Sequence, residues 1–294
     1  MNSTKLIDIC FVSCCCLFLI ITIIASPISL NIQVVLLLIG SVIIGLPHGA
    51  MDYEIGKYLG LCNNLKSKLM FLTTYLAIAA INFGIWLISP IIGFGLFLIL
   101  SIWHFSEDWE DENINLPGRW IKKNSFALAL ISLPSVLNSQ DLQLAFSFLI
   151  DDYYSTLTVL FLQKLAVPMI ILTTLFTFLS FKKNDYLKGL VSFLFIVSAI
   201  FLPPIIFLFL YFCILHGPRH TADLYKILNY KSFAELLRNN LAVIVATLII
   251  LMAAILFYNS EKEVHSHIFS ILIILIACLT CPHMLLISML NRKI

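Results

Sequence analysis

His216 and His220 stand four residues apart in Leu215-His216-Gly217-Pro218-Arg219-His220-Thr221-Ala222-Asp223, directly after the apolar run 205–215. Residues four apart share one face of a helical turn, so both imidazoles can reach one metal ion. Gly217 and Pro218 between them predict a kinked turn in place of a regular helix. Taken alone, the pair reads equally as part of a metal site or as two solvated histidines at a membrane interface. Two other stretches repeat the pattern: Gly45-Leu46-Pro47-His48-Gly49-Ala50-Met51-Asp52 and Trp103-His104-Phe105-Ser106-Glu107-Asp108-Trp109-Glu110. Each sets an imidazole at the end of an apolar run, with a carboxylate about one turn on. Asp52 follows His48 by four residues, Asp108 follows His104 by four, and Asp223 follows His220 by three. A carboxylate that accepts the second imidazole N–H fixes the tautomer and makes the ring a better ligand. Glu107 and Glu110 read instead as solvation of a helix end.

The elements that must carry these residues are membrane helices. Of 294 residues, 61% are hydrophobic and only 12% charged, against about 25% charged in a soluble globular domain. A net charge of +2 without a basic, aromatic-interleaved patch excludes nucleic acid as a partner. Of the eight cysteines, all but Cys62 lie in apolar runs and read as small buried hydrophobes. Cys278-x-x-Cys281 has a redox or zinc spacing but no second pair.

Ten apolar runs follow one another, at about 9–25, 30–46, 69–88, 91–103, 125–137, 157–181, 187–202, 205–215, 241–258 and 267–290. Ser89-Pro90 and Pro203-Pro204 separate neighbours, Pro134 interrupts the fifth, and 221–240 is polar with amphipathic character. The fourth run spans only about 20 Å at 1.5 Å per residue, short of a bilayer core. Such helices must continue past their last apolar residue, which carries their polar ends into the membrane profile. The expected fold is all-α: a polytopic integral membrane bundle of about ten transmembrane helices. It forms a single catalytic domain over 1–294, with 1–26 as an extra N-terminal transmembrane helix.

With the N-terminus inside, every lysine and arginine except Lys164 and Lys262 falls on the inner side, as the positive-inside tendency asks. The same parity puts His48, His104, His216 and His220 at the ends of even-numbered helices, on the cytoplasmic side. His283 lies about 10 Å deep on the tenth helix, below the same layer, while His265 and His267 lie on the opposite side. Ionisable groups within a membrane are costly and mark function. All-imidazole ligation fits iron, copper or zinc. Four histidines leave iron with open positions, whereas zinc more often takes three ligands and water.

Gly45 to Asp52, Trp103 to Asp108, His216-Gly217-Pro218-Arg219-His220 and the late Pro282-His283-Met284 together resemble the Brp/Blh family of integral membrane β-carotene 15,15'-dioxygenases. The resemblance runs in order from about residue 40 to the end. It implies an Fe(2+) centre held by His48, His104, His216 and His220, and cleavage of β-carotene by O2 at its central double bond into two all-trans-retinals. It further implies multi-pass residence in the cell membrane and a functional link to a retinal-binding rhodopsin. Such a long apolar substrate partitions into the lipid bilayer and can enter between helices, where Trp103, Phe105, Trp109 and Phe212 can flank a polyene.

Asp52, Asp108 and Asp223 are then expected as hydrogen-bond partners of the ligands. His283 is expected beside them as an outer group bonded to one of these carboxylates, because a fifth ligand leaves six-coordinate iron a single open position. Three other classes stand against this reading: a His-rich transporter or proton-relay protein, a haem protein with paired axial histidines, and a di-iron desaturase or hydroxylase. The last needs more His-x-x-x-His and His-x-x-His-His boxes than the seven histidines here can form.

Overall fold

A computed structural model of the chain describes residues 3–24, 27–111, 114–257 and 263–293, and all of its regular structure is helical. The helices are α1 (Ser3–Ile24), α2 (Leu30–Tyr58), α3 (Leu65–Ile88), α4 (Pro90–Trp109), α5 (Leu116–Ser132) and α6 (Ser139–Ser147). There follow α7 (Asp152–Lys182), α8 (Tyr186–Phe201), α9 (Pro204–Ile227), α10 (Phe233–Phe257) and α11 (Val264–Lys293). Among the described residues, eight of these are long and apolar enough to cross a membrane: α1 to α4, α7 and α9 to α11. The expected fifth and seventh spans are shorter, at 17 residues in α5 and 16 in α8. The side chains exposed along the long helices are themselves apolar, among them Leu17, Ile20 and Ile23 on α1 and Phe161, Val167 and Ile171 on α7. That surface suits lipid. The expected helix ends at Ala25 and Tyr258, and Lys262, lie outside the described residues.

Local chemistry sets the helix ends. Asn64 starts α3 with a reciprocal cap, its side chain accepting from Ser67 N–H at 2.8 Å while its own N–H donates to Ser67 Oγ at 3.0 Å. Ser89 ends α3 in the extended conformation that a residue before proline prefers, and Pro90 opens α4. Three helices stop on a left-handed residue: Gly60 after α2, Asn184 after α7 and Asn229 after α9. In each, the next residue's N–H reaches back to a carbonyl of the last turn: Leu61 to Gly56, Asp185 to Ser180 and Tyr230 to Tyr225, at 2.8–3.1 Å.

Two helices run further than their apolar stretches. α2 continues past Leu46 to Tyr58, and α4 past Trp103 to Trp109, so polar side chains ride on the last turns. α9 also corrects the expectation of a kinked turn at Gly217-Pro218, because the chain stays helical there. Pro218 has no N–H for the Ile214 carbonyl, and the backbone widens into a π turn over Leu210–His216 in which Gly217 N–H donates to Phe212 O, five residues back. A second π turn, Ser41–Gly45, precedes Pro47 in α2. α6 adds a helix between the expected fifth and sixth runs; Leu142, Ala145 and Phe146, at helical spacing, bury one face of it.

The chain packs as two compact units. One comprises the chain up to Leu37 together with Ser101–Arg219, the other Leu38–Leu100 together with the chain from His220 onward. In the first, α7 packs on α5, α6 and α8, and α1 packs on α8 and the π turn of α9. Its core is aromatic: Trp109 stacks on Phe126 at 4.1 Å, Phe195 meets Trp109 edge to face, and Phe207 and Tyr211 meet Phe195 in the same way. Asn138 donates to the carbonyls of Ile200 and Leu202, satisfying the C-terminal end of α8. In the second unit, α11 packs on α3, α10 and the last turns of α2, around Met51, Ile55, Leu236, Leu286 and Leu290.

Candidate metal centre

In the first unit, α4 delivers His104 in its last regular turn and Asp108 in the tighter turn Glu107–Trp109. The π turn of α9 delivers His216. The two imidazoles lie 4.6 Å apart between ring centres, and both are buried. His216 Nδ1 is 2.8 Å from Asp108 Oδ2, and the Tyr211 hydroxyl donates to the same oxygen at 2.6 Å. An ionised carboxylate only accepts, so a neutral His216 in this arrangement carries its proton on Nδ1 and has its lone pair on Nε2. Phe105 meets the His216 ring edge-on at 4.8 Å and Phe212 stacks on it at 5.9 Å. Of the four aromatic residues able to flank a polyene, none of them assigned to binding by sequence, these two border the imidazole. Trp109 is tied into the core, and Trp103 faces outward, half exposed.

The second unit repeats the arrangement. α2 carries His48 and Asp52, α9 carries His220 and α11 carries His283 just after Pro282. The ring centres are 4.4 Å apart for His48 and His220, 5.0 Å for His48 and His283, and 5.4 Å for His220 and His283. One nitrogen from each ring lies within 4.8 Å of the others, a group that can hold a metal ion. His283 Nδ1 is 2.6 Å from Asp52 Oδ1, and Tyr75 donates to Asp52 Oδ2 at 2.7 Å. His48, Asp52 and His283 are all buried.

The carboxylates thus serve other imidazoles than the sequence spacing implies. Asp108 binds His216 rather than His104, and Asp52 binds His283 rather than His48, because each side chain reaches across to a facing helix. Asp223 is a correction. Three residues past His220, it stands on the exposed side of the helix and pairs with Lys226 at 3.5 Å, in solvent rather than against an imidazole. Glu107 and Glu110 pair with Lys123, and Glu110 also with Arg119. His265 lies by Glu263, and His267 by the Ile255 carbonyl.

Three contributors escaped the sequence reading. Tyr75 and Tyr211 are hydroxyl-bearing residues in otherwise apolar helices, which was their only signal. The third is Asp8, an acid within the apolar α1, where such a charge is costly without a partner. Its Oδ1 accepts from Arg219 Nη2 at 2.6 Å and Nε at 3.1 Å, while Arg219 Nη1 reaches the Asp108 carbonyl at 3.4 Å.

Residues 39–291 match the family model described as beta-carotene 15,15'-dioxygenase. The chain belongs to the β-carotene 15,15'-dioxygenase family. A relative from uncultured marine bacterium 66A03, named beta-carotene 15,15'-dioxygenase, is 26% identical over 255 residues, covering 85% of this chain and 91% of that protein. No solved structure matches. The part matched to the β-carotene 15,15'-dioxygenase family holds every histidine of both clusters along with Asp52, Tyr75, Asp108 and Tyr211; α1 and its Asp8 precede it.

Asp8→Ala leaves a largely buried guanidinium without its carboxylate. Loss of a charge-assisted pair of this kind costs about 1.5–3 kcal/mol, so the melting midpoint of the protein in detergent should fall by several degrees. An unchanged midpoint would mean that α1 does not brace this turn of α9.

Proposed function

We propose that the protein is an iron-dependent dioxygenase that cleaves β-carotene at its central 15,15' double bond with O2, giving two molecules of all-trans-retinal. It acts in the cell membrane as a multi-pass, single catalytic domain over 1–294, with the histidines at the cytoplasmic ends of its helices. His48, His104, His216 and His220 hold Fe(2+). The observation that carries this reading is the family match over 39–291, falling on buried histidines ordered by carboxylates.

The donor set fits iron. All candidate ligands are imidazoles, borderline donors that suit Fe(2+), Cu or Zn and not the oxygen-seeking Mg(2+) or Ca(2+). Bound ferrous iron supplies the one-electron chemistry by which ground-state O2 can react with an alkene. The chain's own residues do the rest. Asp108 holds the Nδ1 proton of His216 and so commits Nε2 to the metal, and Tyr211 keeps that carboxylate in place. Phe105 and Phe212 cover the imidazole with apolar surface, which excludes water and suits a hydrocarbon. A lipid bilayer both dissolves the substrate and takes up the product, and a retinal-binding rhodopsin is the natural consumer of that product.

Expression in a β-carotene-producing host tests the reading. Retinal should accumulate as β-carotene disappears. Unchanged β-carotene without retinal, with the protein present in the membrane fraction, would refute it.

A further inference from the structure

We infer that His283 is itself a ligand of the metal, through Nε2, and that Asp52 and Tyr75 are its positioning residues. The inference rests on the iron centre proposed above and adds a fifth imidazole to it. His283 receives the same treatment as His216. In both, Nδ1 lies within hydrogen-bond distance of an aspartate whose side chain is no more than 10% exposed, and in both a tyrosine hydroxyl donates to that aspartate. A neutral imidazole whose Nδ1–H is held by a carboxylate has only Nε2 to offer, and a more basic Nε2 at that. An outer group needs no such device, whereas a ligand gains its tautomer, its orientation and its basicity from it.

Position agrees. His283 stands within the three-histidine group, with one ring nitrogen within 4.8 Å of those of His48 and His220. Pro282 precedes it in the middle of α11, a thirty-residue helix of otherwise apolar character here. The Asp52 hydrogen bond fixes the ring on the α2 side of that helix, where His48 lies one turn before Asp52. The objection that a fifth ligand crowds the metal loses force for this substrate class. A polyene hydrocarbon needs no coordination position, and six-coordinate iron with five imidazoles keeps one open.

The test is a count of imidazoles. Full-length protein, purified in detergent and loaded with Fe(2+), is examined by X-ray absorption, with Fe(2+) affinity measured by competition with a chromogenic chelator. The wild type should show five imidazoles. His283→Gln retains a polar side chain of similar length but is a poor ligand; it should show four and bind Fe(2+) more weakly by over about 100-fold, beyond the 10–100-fold expected for losing an outer partner. Asp52→Asn should stay within that 10–100-fold range and keep five. Four imidazoles in the wild type, or wild-type affinity and count in His283→Gln, overturn the assignment and leave the four-histidine centre standing. A wild type that takes up no iron overturns both together. The wild-type count decides the matter even if a variant fails to fold.

Discussion

Replacing His48, His104, His216 or His220 singly with alanine should bring retinal formation below detection and lower bound iron. Each of these rings faces a second imidazole at 4.4–5.0 Å between centres, so removing one takes a donor out of a closely spaced set. The loss at His216 is compounded, because Asp108 then keeps a buried negative charge with Tyr211 and no imidazole to answer it. His265→Ala and His267→Ala are the controls. Both sit by the α10–α11 connection with partners of their own, and both variants should yield wild-type retinal. Product extracted from a carotene-producing host, with iron measured on the purified variants, gives the comparison. Full activity in any one of the four would remove that residue from the centre.

Asp108→Asn carries the second-largest effect. The amide is nearly isosteric, so the helices keep their packing, but it no longer offers a charged acceptor to the Nδ1–H and the Tyr211 hydroxyl that both meet Oδ2. With the tautomer no longer fixed, part of the population presents Nε2–H to the metal, which cannot bind it. Loss of a carboxylate of this kind costs about 10–100-fold in metal affinity or turnover. Tyr211→Phe removes one neutral donor from the same carboxylate and should cost less than Asp108→Asn. If Asp108→Asn binds iron and turns over like the wild type, the carboxylate only solvates a helix end.

The residues that carry the chemistry were legible because they break the composition around them. His48, His104, His216 and His220 end apolar runs, and the shortness of the run 91–103 alone demanded that α4 continue through His104 to Trp109. Proline spacing marked the boundaries at Ser89-Pro90 and Pro203-Pro204 correctly, since proline constrains both itself and its predecessor. It misled at Pro218. There the helix absorbs the missing N–H by widening its hydrogen-bond register, in a turn that packs against α1, a neighbour that local sequence does not show. Which histidine each aspartate serves was beyond reach for the same reason. Asp52 meets a ring 231 residues away and Asp108 one 108 residues away, whereas sequence spacing shows only the histidine four residues before each. Tyr75 and Asp8 were visible as polar residues in apolar helices, but their partners lie on other elements. Asp223 shows the converse: the right residue type near the right histidine, on the wrong flank of the helix.

The central claim, iron-dependent central cleavage, meets its most direct test in purified protein stripped of metal by a chelator. β-Carotene in detergent and O2 are supplied with Fe(2+) or Zn(2+), and products are counted per substrate consumed. The account predicts no turnover in the stripped protein or with Zn(2+), and with Fe(2+) two retinals for each β-carotene and no product of any other chain length. Equal turnover without iron, or a pair of fragments of unequal length, would contradict it.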